Sequence, residues 1–117
     1  MKQPKKFKDE KMSAMLHKFA AEYFLYESNK ESLITITKTE LENRGKNAYI
    51  FFTALPVEKE EDALDFMKRR RNDFRKFVMS KKSFGFTPHV TFLIDKGEHN
   101  RQRIDELLNE DAERQAE

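Results

Sequence analysis

The apolar residues near the start of the chain fall at helical spacing. Met12, Met15, Leu16, Phe19, Tyr23 and Tyr26 follow one another at steps of three, one or four, while Lys11, His17, Lys18, Glu22 and Glu27 fall mostly on other faces. Such a stripe predicts a long amphipathic helix over about 10–27, ended by Ser28 and Asn29. Residues 1–8 lack the periodicity and read as a mobile, basic lead-in. From Ser32 the period shortens to two: Leu33, Thr35, Thr37 and Thr39 alternate with Ile34, Ile36, Lys38 and Glu40, and β-branched residues dominate. This predicts a strand with one apolar face. Asn43-Arg44-Gly45-Lys46-Asn47 is a turn with a glycine able to take positive φ, and it leads into a second strand, Ala48 to Leu55. The two strands predict an antiparallel hairpin.

Pro56 cannot donate to a ladder and closes the second strand. The acids from Glu58 to Asp62 then stand where a helix N-terminus favours negative charge, Ala63, Phe66 and Met67 give that helix an apolar side, and Lys68-Arg69-Arg70-Arg71 complement its C-terminal dipole. The apolar pattern resumes at Phe74, Phe77 and Val78. Asn72 tolerates the left-handed region, so it is placed at a kink between two helical pieces, 58–71 and 73–81. Gly85 and Thr87-Pro88 end the helical region, and His89 to Ile94 reads as a third strand ending at Asp95. After a turn at Lys96-Gly97-Glu98, Ile104, Leu107 and Leu108 predict a short helix that dissolves into a frayed acidic tail, 109–117. The order is α-β-β-α-kink-α-β-α, a small α+β fold whose sheet is covered on at least one face by helices. Alternation puts Tyr49 and Phe51 on one face of the second strand and Ile50 and Phe52 on the other. Core is preferred to base stacking for at least one of these faces. Phe84 and Phe86, flanking Gly85, stay open between capping the core and meeting a base or a protein groove.

Length and composition narrow the class. At 117 residues one domain is expected, with residues 1–9 as a flexible arm, 10–108 as the body and 109–117 as the tail. Cysteine is absent, which removes disulfides, thiolate metal sites and cysteine nucleophiles. His17, His89 and His99 have no partner at ligand spacing, so no metal is expected. No nucleophile elbow, glycine-rich phosphate loop or paired-carboxylate motif occurs, so neither catalysis nor a cofactor nor a small-molecule substrate is expected. No apolar run approaches the roughly 18 residues of a membrane span, and the expectation is a soluble, cytoplasmic, monomeric protein with no membrane partner.

The net charge of +2 hides strong local terms. Residues 58–65 hold five acids and one lysine, and residues 105–117 hold six acids and one arginine. Between 68 and 82 stand eight cations, Lys68, Arg69, Arg70, Arg71, Arg75, Lys76, Lys81 and Lys82, against Asp73 alone. Cations so concentrated release counterions when they neutralise phosphates, and arginine adds bidentate phosphate contacts. The competing explanation is a solvated helix face paired with the acids at 58–65, for instance Asp65 with Arg69 at i,i+4. Five acids do not cancel eight bases, and the RNA-binding reading is preferred. The acidic tail is expected to restrain that surface from binding unrelated polyanions.

Taken in order, Leu33-Ile34-Thr35-Ile36-Thr37-Lys38-Thr39-Glu40-Leu41, Asn47-Ala48-Tyr49-Ile50-Phe51-Phe52, Phe74-Arg75-Lys76-Phe77-Val78, Pro88-His89-Val90-Thr91-Phe92-Leu93-Ile94-Asp95 and Ile104-Asp105-Glu106-Leu107-Leu108 resemble the ribosome-binding factor A family over about residues 10–108. The resemblance implies a KH-like fold of type II order with a three-stranded sheet and a short C-terminal helix. It further implies non-catalytic binding to the immature small ribosomal subunit through its rRNA during late maturation. The family lacks the Gly-x-x-Gly clamp of ordinary KH domains and carries a helix kinked at an Ala-x-Gly step, matched here by Arg70-Arg71-Asn72. Its basic surface carries over to Arg70, Arg71, Arg75 and Lys76, and more remotely to Lys81 and Lys82. Three rivals remain: a general KH-like RNA-binding or chaperone protein, a protein-interaction module using the acidic tail and the Phe84/Phe86 loop, and, weakest, a nuclease.

Overall fold

The computed structural model describes the backbone of residues 5–26, 31–81 and 85–116, and the side chains of 10–25, 31–81 and 85–112. Within them the order is α1 (Lys5–Tyr26), β1 (Leu33–Glu42), β2 (Asn47–Leu55), α2 (Glu60–Arg69), α3 (Arg71–Ser80), β3 (His89–Ile94) and α4 (Asn100–Ala116), with single 3-10 turns at Val57–Lys59 and Gly97–His99. The sheet order is β1-β2-β3. β1 and β2 form the expected antiparallel hairpin, and the α2–α3 crossover returns the chain so that β3 lies parallel to β2, with Asn47 opposite His89 and Phe52 opposite Ile94.

Strict alternation along β1 fails at one residue. Ile36 faces Phe52, but Lys38 faces Phe51 and Thr39 faces Ile50, so Thr37 is the extra residue of a bulge. Without it Lys38 and Glu40 would follow Ile34 and Ile36 into the core. The inserted residue reverses the parity and sends Thr39 and Leu41 there instead.

One sheet face carries the main core: Ile36, Ile50, Phe52, Val90, Phe92 and Ile94 pack beneath Leu16, Phe19 and Phe24 of α1, Ala63, Phe66 and Met67 of α2, and Phe74 and Val78 of α3. Phe24 lies at its centre, with ring centroids 5.4 Å from Phe92, 5.7 Å from Phe74 and 6.4 Å from Phe66. Aromatic rings thus supply the volume that a chain poor in aliphatic residues lacks. The other face is covered as well. Tyr49, Phe51 and Leu93 pack against Ile104, with Leu107 and Leu108 beside them, so both aromatic faces of β2 are buried.

A polar hook fixes the start of α4. Asp95 Oδ1 accepts from the Gly97 amide and from Asn100 Nδ2, both at 2.8 Å, and Oδ2 accepts from Thr37 Oγ1 in the bulge. The Lys96 amide donates to Asn100 Oδ1 at 3.0 Å. Further along, Arg103 Nη1 donates to the Ile94 carbonyl, and Arg101 pairs with Glu42 at 2.7 Å and Asp105 at 2.9 Å.

Three expectations are corrected. α1 begins at Lys5 rather than near residue 10, because lysine and glutamate are good helix formers that extend a helix without needing an apolar stripe. α4 continues to Ala116 instead of ending after Leu108, since the acidic segment contains good helix formers and no breaker. The helix break falls at Arg70, with φ −95° and ψ 5°, and Asn72 is an ordinary residue of α3. The bridge region at Arg70 is open to any side chain, so no left-handed asparagine is required. The Ser28–Asn29 helix end, Lys82 and Phe84 lie outside the described residues.

Candidate nucleic-acid interface

α2 and α3 bury one side each and leave the other to solvent. Ala63, Leu64, Phe66, Met67, Phe74 and Val78 are buried, whereas Lys68, Arg69, Asn72 and Lys76 are exposed on the outer surface. The Arg70 amide bonds the Phe66 and Met67 carbonyls, both at 3.1 Å, and the Phe74 amide bonds the Arg70 carbonyl at 2.8 Å, so the break interrupts the helix without leaving its polar backbone bare.

The structure sorts the cations by what holds them. Among the described residues Lys68, Arg69 and Lys76 have no ion-pair partner, and Asp65 does not pair with Arg69. The acids of α2 stand at its N-terminal end, where Asp62 comes within 4.0 Å of Lys59. Arg70 lies 5.4 Å over the Phe66 ring, with Nη1 4.0 Å from Asp73 Oδ2. That pair is exposed and contributes little to stability. Arg71 is half-buried, and its Nε is shielded from solvent without a hydrogen-bond acceptor. Arg75 turns inward: Nε donates to the Pro88 carbonyl at 3.1 Å and Nη2 to the Thr87 carbonyl at 3.3 Å, tying α3 to the entrance of β3. Lys81 Nζ sits 4.6 Å over the Phe77 ring. Backbone carbonyls do not neutralise charge, so Arg75 still adds to the positive field. What it loses is freedom to follow a ligand.

The acidic helix lies elsewhere. α4 packs on the Tyr49 and Phe51 face of the sheet, and α2 and α3 on the Ile50 and Phe52 face, so the acidic helix and the basic helices lie on opposite faces of the sheet. Among the described residues no helix is long and apolar enough to cross a membrane. With glycine only at 45, 85 and 97, the chain has no Gly-x-x-Gly clamp.

A family model described as ribosome-binding factor A matches residues 8–108. The chain belongs to the ribosome-binding factor A family. A ribosome-binding factor A from Corynebacterium kroppenstedtii is 33% identical over 90 residues, which are 73% of this chain and 58% of that one. The chain therefore spans less than two thirds of that relative's length. The crystal structure of ribosome-binding factor A from Thermus thermophilus superposes with a TM-score of 0.67 at 20% identity, covering 74% of this chain and 93% of that one. A homology model of the Thermus thermophilus ribosome-binding factor A, fitted into the cryo-EM map of a 30S complex of that protein, gives a TM-score of 0.61 at 21% identity, over 69% and 88%. The shared architecture is the KH-like fold of ribosome-binding factor A. The helix break comes at Arg70, the first residue of the Arg70-Arg71-Asn72 step, rather than at Asn72.

Two groups of residues escaped the reading of the sequence. Asp95 was placed only as the end of a strand, and one of its three hydrogen-bond donors, Thr37, is distant in sequence. Arg44 and Lys46 were read as turn residues alone, although two cations flanking a turn glycine were visible in the order of residues.

Proposed function

We propose that this chain binds the immature small ribosomal subunit through its rRNA and assists late maturation without catalysing a reaction. Its contact surface is the outer side of α2 and α3, with Lys68, Arg69, Asn72 and Lys76 meeting the backbone of a folded RNA and Arg70, Arg71, Arg75, Lys81 and Lys82 strengthening the field. The observation that carries the reading is the set of exposed cations on α2 and α3 without acidic partners among the described residues, in a chain of this family. Binding acts conformationally, favouring one RNA arrangement over another by no more than the difference in affinity for the two.

Co-sedimentation with small subunits across a salt series tests this. Replacing Lys68, Arg69 and Lys76 by glutamine removes three phosphate-neutralising charges, and the logarithmic salt slope of binding should fall by about 2 to 3. Unchanged affinity and slope would refute the assignment of this surface. Equal affinity for unrelated folded RNAs would point to a general RNA binder.

A further inference from the structure

The end of the sheet that carries the β1–β2 turn presents a second arrangement of chemistry. Asn43, Arg44 and Gly45 hold φ of 58°, 59° and 81°, three left-handed residues in a row. An arginine thus occupies a conformation that favours asparagine or glycine. Gly45 is buried: a Cβ there would lie 3.3 Å from Met12 Sδ and 3.7 Å from Phe86 Cζ. The tip of the Phe86 ring therefore rests on the turn, while Phe86 remains 49% exposed. Its chain neighbours are held as well, since the carbonyls of Thr87 and Pro88 accept from Arg75 and the His89 amide bonds the Lys46 carbonyl at 2.8 Å. Phe86 is a half-exposed aromatic fixed at its base, beside a glycine flanked in sequence by two cations. Arg44 and Lys46 are exposed and have no ion-pair partner among the described residues.

We propose that this end of the molecule is a second RNA contact, separate from α2 and α3. Phe86 stacks an unpaired base of a single-stranded segment, and Arg44 and Lys46 hold the phosphates beside it. The proposal rests on the reading that the chain binds RNA and adds a class of target: a single strand or loop with a base free to unstack. A base suits the site because it matches an aromatic whose surroundings are cationic, where an apolar protein groove would have to desolvate two uncompensated charges. Glu110 and Asp111 share a cavity of about 200 Å³ with His89 on the α4 side, so the phosphates are directed away from α4.

The chain has no tryptophan, so Phe86→Trp installs a single reporter in an aromatic of the same role. Its fluorescence should be quenched by a nine-nucleotide single-stranded oligoribonucleotide and far less by the same sequence as a duplex. Phe86→Ala should bind the single strand about tenfold more weakly at an unchanged salt slope, because stacking releases no counterions. The pair Arg44→Gln and Lys46→Gln should lower the slope by about 1.4. Equal quenching by duplex and single strand, or wild-type affinity in folded Phe86→Ala, would overturn the proposal. Small-subunit co-sedimentation of the wild-type chain separates the two readings. If the wild type binds subunits and oligonucleotide and Phe86→Ala is indifferent, the stacking site alone fails; if the wild type binds neither, the RNA-binding reading fails with it.

Discussion

Replacing Asp95 by alanine removes three hydrogen bonds, and their surroundings decide what each is worth. The Gly97 amide and the Thr37 hydroxyl are exposed and exchange the carboxylate for water at little cost. Asn100 is 4% exposed, and its Nδ2 would be left without the acceptor it now meets at 2.8 Å. A buried donor without a partner costs about 1–3 kcal/mol. The expected loss is about 2 kcal/mol, a fall in Tm of about 5–10 °C for a domain of this size. The carboxyl is held below the usual carboxylate range by the hydrogen bonds from Thr37, Gly97 and Asn100, in that order. A carboxyl with a depressed folded pKa stabilises fully above its unfolded value of about 3.9, and the contribution is lost as pH falls through the folded value. Thermal denaturation of wild type and Asp95→Ala should therefore show a constant difference from pH 8 to 5 that narrows only below about pH 4. A difference under about 0.5 kcal/mol at pH 7 would refute the assignment of Asn100's dependence on Asp95. A difference that stays the same at pH 3 would refute the electrostatic part.

Asn72→Ala should raise thermal stability slightly, by about 0.5 kcal/mol, because an exposed helical asparagine yields to a better helix former; a marked loss would mean that residue 72 is left-handed after all. Ile104→Ala, at a fully buried position on the sheet-facing side of α4, should cost about 2–4 kcal/mol in urea denaturation. A loss below about 1 kcal/mol would show that α4 leaves the sheet without consequence for the rest of the fold.

The elements whose signal is local were legible in the sequence. Helical spacing placed Leu16 and Phe19, alternation placed Ile50, Phe51 and Phe52, and Pro56 and Thr87-Pro88 marked the strand limits. What was not legible depends on partners remote in the chain. The bulge at Thr37 leaves no local mark, because the parity of β1 is set by Phe51 and Phe52 across the hairpin. α4 reads as a short helix, because three apolar residues look like too little until the second face of the sheet is seen to need only Ile104, Leu107 and Leu108. At the candidate interface the clustering of cations was plain from the order of residues, but their division was not. Nothing around Arg75 in sequence announces that it binds the Thr87 and Pro88 carbonyls while Lys76 beside it faces solvent.

Placing α4 behind the sheet gives the protein an electrical polarity. With their own acids included, α1, α2, Arg70 and α3 carry a net +3 on one face of the sheet, and α4 with its arginines carries a net −2 on the opposite face. A chain of net charge +2 is thus a dipole more than a monopole. In the field of a polyanion such a molecule experiences a torque before it experiences much attraction, and the torque turns α2 and α3 forward while holding α4 away. Salt then acts on two quantities at once: how often encounters occur, and what fraction arrive with the productive side leading.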